Sequence, residues 1–470
     1  MNKDRTRTQL KTMYRFICGT LLVAAASVSF AYVWDNFIST YNVFSHLRGP
    51  GNFAMSVGVY SGFVFAMFRV LGCFRIGVDR MMNIIVSIVL GLLFADIAMV
   101  FASMAITGQW RYFPIILSSY APMWAVQAPA IGLLGAAFIA IYKLLFPPLE
   151  VLEINGEYEH DLKYKVDSRP DKYKIVKTID CSMPIDELEA EMKKHDAVLL
   201  NDLPAEIKNK ILKICLEDGL RVYFTPKISD IIVKASSDLN LFDTPLCLCR
   251  NVGMTFRQRF FKRLTDIVLS LVALIIASPF MLITAIAIKI EDHGPVFFRQ
   301  ERVTKDGKHF MILKFRSMIV DAEKDGKSHP AGEKDPRITK VGNFIRATRI
   351  DELPQILNIL KGDMSIVGPR PERWEHVEQY TKEIQEFPLR LKVKGGLTGY
   401  AQVYGKYNTN ALDKLKLDLM YIENYSLLLD FQIICETVRV IFQKESTEGF
   451  DAEAAKELHD KAGVDSSEEK

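Results

Sequence analysis

Four stretches of this chain are almost free of charge, and each is long enough to cross a lipid bilayer. Residues 16–34, 49–68 and 112–142 contain no Asp, Glu, Lys or Arg, and residues 81–106 contain one, Asp96. A hydrocarbon core of roughly 30 Å takes about 20 helical residues. Within it every backbone N–H and C=O must find a partner in the protein, so continuous apolar runs of this length fold as helices. The sequence therefore predicts a four-helix transmembrane bundle over residues 1–145. The first run is too long for a secretory leader and no small-residue cleavage site closes it, so it is expected to remain in place.

Lys3, Arg5, Arg7, Lys11 and Arg15 precede the first run, and Arg69, Arg75 and Arg80 fill the second loop. The first and third loops hold only Arg48 and Arg111, and Lys143 closes the fourth run. Cytosolic loops accumulate Lys and Arg, so both ends of the bundle read as cytosolic. Asp96 stands in mid-span with no second ionisable group in the spans. An interhelical hydrogen bond explains it better than a relay or a substrate contact.

Composition changes after Pro147-Pro148. Leu149–Asn155, Tyr173–Thr178, Ala197–Leu200 and Arg221–Thr225 are short apolar strand patterns. Between them, Pro184–Lys194 and Ala205–Leu216 repeat with helical period, and the second stops at Gly219. Alternating strands and helices predict a small parallel, Rossmann-like α/β domain over residues 146–255. Its first turn holds Gly156 but no G-x-G-x-x-G, so a spacer or interaction role is expected rather than nucleotide binding. A net charge of +3 over 470 residues gives no clustered basic footprint, which argues against nucleic acid as a partner. The seven Cys residues are scattered, without a C-x-x-C pair. That spacing argues against a structural zinc site and suits a reducing cytosol.

A fifth uncharged run, Ile267–Ile288, ought not to cross. Ser278-Pro279 interrupts it near the centre, where proline deletes a helical hydrogen bond. Lys262, Arg263 and Asp266 precede it; Lys289, Glu291 and Asp292 follow it. Both ends read as facing the same compartment. The sequence predicts a re-entrant helix over residues 264–290, with the Ser278 hydroxyl capping a carbonyl freed by the break.

Beyond it, Arg299, Arg302, Lys314, Arg316, Arg337, Arg346, Arg349 and Arg370 fall close together, several beside rigid turns such as Gly368-Pro369-Arg370-Pro371. Guanidinium forks match phosphate oxygens. Among these cations stands Asp351-Glu352-Leu353-Pro354-Gln355. Pro354 suits the first turn of a helix, which puts both carboxylates at or just before its N-terminus, where phosphate is also favoured. One carboxylate can attack phosphorus while the other holds a hard divalent ion such as magnesium (Mg2+).

These residues resemble a known family. From Phe261 to about Phe450 the chain is similar to the bacterial sugar transferases, polyprenyl-phosphate hexose-1-phosphate transferases with a monotopic phosphoglycosyl transferase core. The matching strings are Lys262-Arg263 with Asp266, Ser278-Pro279, Gly294-Pro295, Phe298-Arg299-Gln300, Lys314 to Met318, Asp335-Pro336-Arg337, Asp351 to Gln355, Leu360 to Ser365, Gly368 to Pro371, and Leu397-Thr398-Gly399 with Ala401-Gln402. Arg349-Ile350, Thr304 and Gly395 depart from the Ser-Leu, Gly and Pro common in the family. The whole chain resembles the long branch that primes capsule, O-antigen or exopolysaccharide synthesis.

The resemblance implies an α/β transferase domain over residues 256–450 on the cytosolic side of a bacterial cytoplasmic membrane. Asp351 would attack the β-phosphate of a UDP-sugar, release UMP and carry the phosphosugar to undecaprenyl phosphate. Glu352 would bind Mg2+. Lys314, Arg346 and Arg370 would surround the phosphates, with Arg316 added to them. Ser278 and Pro279 would keep the helix re-entrant. Glucose or galactose is the sugar favoured by the resemblance, and a homodimer is an expectation. Two other readings stay open at this point: a non-catalytic membrane scaffold, and a glycosyltransferase that inverts a sugar carbon and releases UDP. Residues 451–470, with seven acidic residues against three Lys and no aromatic, are expected to form a disordered acidic tail.

Overall fold

The computed structural model describes residues 2–41, 49–156, 162, 166, 169–241, 243–249, 253–320, 322, 335–405 and 409–441. The expected acidic tail lies outside the described residues. The chain divides into two compact units, Met1–Lys227 and Ile228–Lys470.

The first unit opens with four helices: α1 (Asn2–Tyr41), α2 (Pro50–Val70), α3 (Met81–Thr107) and α4 (Phe113–Leu145). Each is long and apolar enough to cross a membrane, and the chain is a membrane protein. Small residues let the helices approach closely, as expected where packing rather than water drives association. A Cβ on Gly91 would lie 2.9 Å from Phe68, and one on Gly135 only 2.6 Å from Ile88. Phe30 stacks on Tyr60 with ring centroids 4.3 Å apart. Asp96 on α3 accepts a 2.7 Å hydrogen bond from the Tyr60 hydroxyl on α2, and Gln127 on α4 donates to that hydroxyl at 2.9 Å. The mid-span carboxyl thus joins three helices.

Next come β1 (Leu149–Asn155), β2 (Tyr173–Asp180), α5 (Ile185–Met192), β3 (Ala197–Asn201), α6 (Ala205–Asp218) and β4 (Arg221–Phe224). The strands are parallel in the order β2-β1-β3-β4. Leu152, Ile154, Val198 and Leu200 pack with Leu188 and Ile211 on one face; Leu149, Val151, Ala197 and Leu199 pack on the other. Burial on both faces explains why these strands read as continuous apolar runs. Open sheets of this kind hold ligands beyond the carboxyl ends of their strands, where the strand order reverses. Here that place is closed by main chain. The Gly156 N–H donates to Asn201 O at 2.8 Å, and a Cβ on Gly156 would lie 2.1 Å from Asp202 O. The sheet is tied to the bundle through Arg7, which donates to Asp196 at 3.2 Å and to Pro147 O at 2.9 Å.

The second unit starts with α7 (Ile228–Lys234) and the antiparallel pair β5 (Ser237–Leu241) and β6 (Thr244–Leu248). Then follow α8 (Phe256–Asp292), the hairpin of β7 (Phe297–Val303) and β8 (His309–Phe315), α9 (Lys340–Ala347), a 3-10 turn at Ile350–Glu352, and α10 (Gln355–Lys361). The described residues close with β9 (Ser365–Val367), α11 (Trp374–Glu383), a 3-10 segment Phe387–Lys392, β10 (Gly396–Thr398), α12 (Tyr400–Tyr404), α13 (Ala411–Glu423) and α14 (Leu427–Ile441). Leu415, Leu419 and Ile422 of α13 form the main core with Val367, Val377, Phe387, Val393, Ile433 and Ile231 of α7.

Helix α8 is apolar enough to span a membrane, yet both its ends dock on the second unit, each at a different place. Near the start, Lys262 pairs with Asp430 at 2.7 Å, and Asp266 accepts from the Ser365 hydroxyl and the Ile366 N–H. Arg263 donates to Ile359 O and Leu360 O, capping the end of α10. Near the finish, Ile288 packs on Phe315 and Ile345, and Glu291 accepts from the Lys340 and Val341 N–H groups at the start of α9. Between these docks Leu271, Val272, Ile275, Ile276, Leu282 and Ile283 are exposed. The Ser278 hydroxyl donates to Ile275 O at 2.9 Å. That carbonyl is the one whose helical donor would be the N–H that Pro279 lacks.

Candidate active site

Three segments bring the sequence-predicted residues together. Lys314 lies on β8, opposite Phe298 in the hairpin. Asn358 of α10 fixes the distance to that strand: its side chain accepts from the Leu313 N–H at 2.9 Å and donates to Met311 O at 2.8 Å. Arg349 takes a left-handed backbone conformation, φ 59°, between α9 and the 3-10 turn. A non-glycine residue there is strained and turns the chain sharply. The turn presents Asp351 and Glu352 beside β8. Arg370 comes from the loop after β9, where the Gly368 N–H donates to Thr398 O and the Gly396 N–H donates to Pro369 O, both at 2.9 Å.

Glu352 is the centre of the cluster. Its Oε1 accepts from Lys314 Nζ at 3.0 Å and from Arg370 Nη2 at 3.1 Å. Its Oε2 takes no hydrogen bond from any described residue. Burial opposes ionisation of Glu352, but Arg370 and Lys314 outweigh it and hold the carboxyl at about 2. Burial depresses the Lys314 ammonium, with Glu352 pulling the other way. Asp351 differs. Burial raises its carboxyl above the ordinary value; Lys314 offsets part of this, the Glu352 charge adds to it, and Arg349 and Arg346 lower it. Four cations, Lys314, Arg346, Arg349 and Arg370, thus act on two adjacent carboxylates. The surplus of positive charge suits a polyanion such as a diphosphate.

Arg316 is not part of this cluster, contrary to the sequence expectation. Its guanidinium grips Asp292 with both Nη atoms, Nη1 at 2.7 Å, and its Nε donates to Pro295 O at 2.6 Å. Its side chain is 7% exposed, so it fastens the end of α8 and presents no donor to a substrate. Arg337 is likewise engaged locally, with Asp335. Ser278 and Pro279 lie in mid-α8, outside the cluster. Asn358 was not singled out by sequence; its signal is a polar residue within the apolar stripe Ile356, Leu357, Ile359 and Leu360. The departures at Thr304 and Gly395 form one contact. The buried Thr304 hydroxyl donates to Asp363 O at 3.0 Å and accepts from the Gly395 N–H at 3.1 Å. A Gly–Pro pair has neither the hydroxyl nor the N–H.

Among the described residues no group of three or more His, Cys, Asp or Glu could hold a metal by itself. Two adjacent carboxylates with free oxygens nevertheless fit Mg2+, which binds through one or two carboxylates with substrate phosphates and water completing the shell.

The bacterial sugar transferase family model matches residues 257–444. Over 265 residues the chain is 39% identical to a UDP-glucose:undecaprenyl-phosphate glucose-1-phosphate transferase of Klebsiella pneumoniae, covering 54% of this chain and 54% of that protein. It is 46% identical over 185 residues to a UDP-N-acetylgalactosamine-undecaprenyl-phosphate N-acetylgalactosaminephosphotransferase of Aeromonas hydrophila, covering 39% of this chain and 44% of that protein. It is 40% identical over 183 residues to a UDP-glucose:undecaprenyl-phosphate glucose-1-phosphate transferase of Caulobacter vibrioides, covering 38% of this chain and 68% of that protein. The chain belongs to the bacterial sugar transferase family. Its matches span about half the length of the first two of these relatives.

Proposed function

We propose that this protein transfers a sugar-1-phosphate from a UDP-sugar to undecaprenyl phosphate and releases UMP, initiating capsule, O-antigen or exopolysaccharide synthesis. The observation that carries the reading is the cluster itself: a half-buried Asp351 without a hydrogen bond from any described residue, beside a Glu352 that collects Lys314 and Arg370. A scaffold has no use for such a surplus of oriented cations, and the relatives' names give the same class of reaction.

In the first step a carboxylate oxygen of Asp351 attacks the β-phosphorus. The bond to the oxygen bridging the α- and β-phosphates breaks, and UMP leaves with the electron pair. The sugar phosphate stays on Asp351 as an acyl phosphate. In the second step an oxygen of undecaprenyl phosphate attacks the same phosphorus, the Asp351–phosphorus bond breaks, and the carboxylate is restored. Lys314 and Arg370 stabilise charge on the phosphoryl oxygens, held in place by Glu352. Arg346 completes the positive field at Asp351. Mg2+, bound by Glu352 with Asp351 at hand, would supply further charge neutralisation at the diphosphate. Glucose or galactose is the proposed sugar.

The four helices α1–α4 are proposed to cross the cytoplasmic membrane, with the 146–255 domain and the 256–450 transferase domain on the cytosolic side. In this reading α8 enters one leaflet and returns at Ser278-Pro279. Its support is physical. The helix is about 55 Å long if straight, and a crossing helix could not dock both its ends on the one compact unit that carries the transferase residues.

The test is direct. The full chain in lipid nanodiscs receives UDP-glucose, UDP-galactose or UDP-N-acetylgalactosamine with undecaprenyl phosphate and Mg2+. The expected products are a lipid-linked diphosphosugar and UMP in equal amounts. Release of UDP, or no lipid product with any donor, would overturn the proposal.

A further inference from the structure

Arg370 poses a positional problem. Its guanidinium must stay aimed at the Glu352 carboxylate, yet its side chain is 44% exposed. At that exposure packing alone does not lock so flexible a stem. The main chain has to do the aiming. Its neighbours are fixed: Pro369 O accepts from the Gly396 N–H at 2.9 Å, and Glu372 O accepts from the Val303 N–H at 3.0 Å. The carbonyl of Arg370 itself accepts from a side chain, Arg390 Nη2, at 3.0 Å.

Arg390 is built for that contact. It lies on the 3-10 segment Phe387–Lys392, its side chain is 5% exposed, and its guanidinium sits over the Phe387 ring at 5.0 Å. Nη2 is 2.9 Å from Oδ2 of Asp418 on α13, a side chain 1% exposed. Nη1 is 3.7 Å from Oε1 of Glu372. Burying such a pair is a poor route to stability, since apolar side chains of similar volume often serve as well or better. Its retention against the loop that carries a site cation calls for another account.

We propose that Arg390, backed by Asp418, is a positioning residue: it fixes the carbonyl of Arg370 and so aims that guanidinium at Glu352 and the phosphates. The proposal rests on the reading of Arg370 as a phosphate-binding cation. The path runs from α13 through Asp418 and Arg390 to Arg370 and Glu352. A misplacement of the order of 1 Å at a positioning contact costs about 100-fold in rate.

The experiment separates aiming from folding. Arg390→Met with Asp418→Leu removes both charges together, so no orphan charge is left in the core. Melting temperature, kcat and KM for the UDP-sugar are measured for this double variant, for Arg370→Lys, and for the three changes combined. The expected result is a melting temperature at or above that of the unaltered protein with kcat lowered roughly 10–100-fold. In the Arg370→Lys background the same pair should cost little more, because there is no longer a guanidinium to aim. Unaltered kcat in a folded double variant would overturn the proposal, and so would an equal loss in both backgrounds. If the double variant fails to fold, Arg390→Lys, which keeps a cation for Asp418 without the guanidinium fork, carries the same readouts and the same criteria. Failure of the unaltered protein to release UMP would refute the proposed reaction instead, and that outcome is scored before any variant.

Discussion

Glu153 and Glu352 are both glutamates drawn out of solvent in α/β surroundings, the first fully and the second partly, and they have opposite meanings. Glu153 lies on β1, one of the two central strands, 1% exposed, and accepts from the Thr178 hydroxyl at 3.1 Å and from the Asn201 side chain at 3.4 Å. The carboxyl edge of its sheet is shut by the Gly156–Asn201 contact. Glu352 sits on a turn and accepts from two cations through a single oxygen. The first carboxylate is absorbed by its fold. The second, together with Asp351, stands among four cations, Lys314, Arg346, Arg349 and Arg370, so that positive charge exceeds negative at the pair. Burial alone does not mark a reactive carboxylate; an unbalanced charge count beside an unengaged neighbour does.

The largest effect should come from the neighbour. Asp351→Asn keeps shape and removes the nucleophilic charge, and transfer should fall roughly 10⁴-fold or more, the loss seen when a covalent nucleophile is removed. Near-normal turnover in a folded variant would remove Asp351 from the role. Glu352→Gln should cost about 10²–10³-fold, since it frees the two cations that stabilise the transition state. The measurement is kcat for UMP release at saturating UDP-sugar, with the Mg2+ dependence recorded alongside.

Protonation gives a finer test. Only the carboxylate of Asp351 can attack, and burial raises its pKa above the ordinary aspartate value. Activity should be present at neutral pH and be lost as pH falls through that raised value. Lys314 lowers the Asp351 pKa. Lys314→Met should therefore move the acid limb of kcat/KM to higher pH, besides lowering its plateau. An acid limb that stays in place would break the electrostatic link between β8 and the turn.

Two further changes probe stability. Arg316→Ala removes a charged pair with Asp292 and should cost about 1.5–3 kcal/mol, read as a lower melting temperature. Glu153→Gln repeats the Glu352→Gln chemistry in the first unit. It should cost about 1 kcal/mol of stability while leaving turnover per folded molecule unchanged. A selective loss of turnover there would dissolve the contrast between the two glutamates.

The sequence made local features readable and left long-range partners unread. Strand β1 coincides with the apolar run Leu149–Asn155, and Ser278 caps the carbonyl that Pro279 frees, because both follow from neighbours within four residues. The pair Asp351-Glu352 was readable for the same reason: Pro354 places it just ahead of a helix. Arg316 was not. It stands two residues from Lys314, and nothing local tells which of two basic side chains will meet Asp292, 24 positions upstream. Asn358 and Arg390 escaped notice likewise, since each acts on a carbonyl or N–H brought near only by folding.

The central claim is that the phosphosugar rests on Asp351 between two half-reactions. The most direct measurement omits the acceptor. The protein is mixed with a UDP-sugar labelled in the sugar and the β-phosphate, with Mg2+ and no undecaprenyl phosphate, and is quenched rapidly. The account requires a burst of UMP equal to the amount of active enzyme, with sugar and phosphate label retained on the peptide that contains Asp351 and absent from Asp351→Asn. UMP release that begins only when undecaprenyl phosphate is added, with no label on the protein at any time, would contradict it.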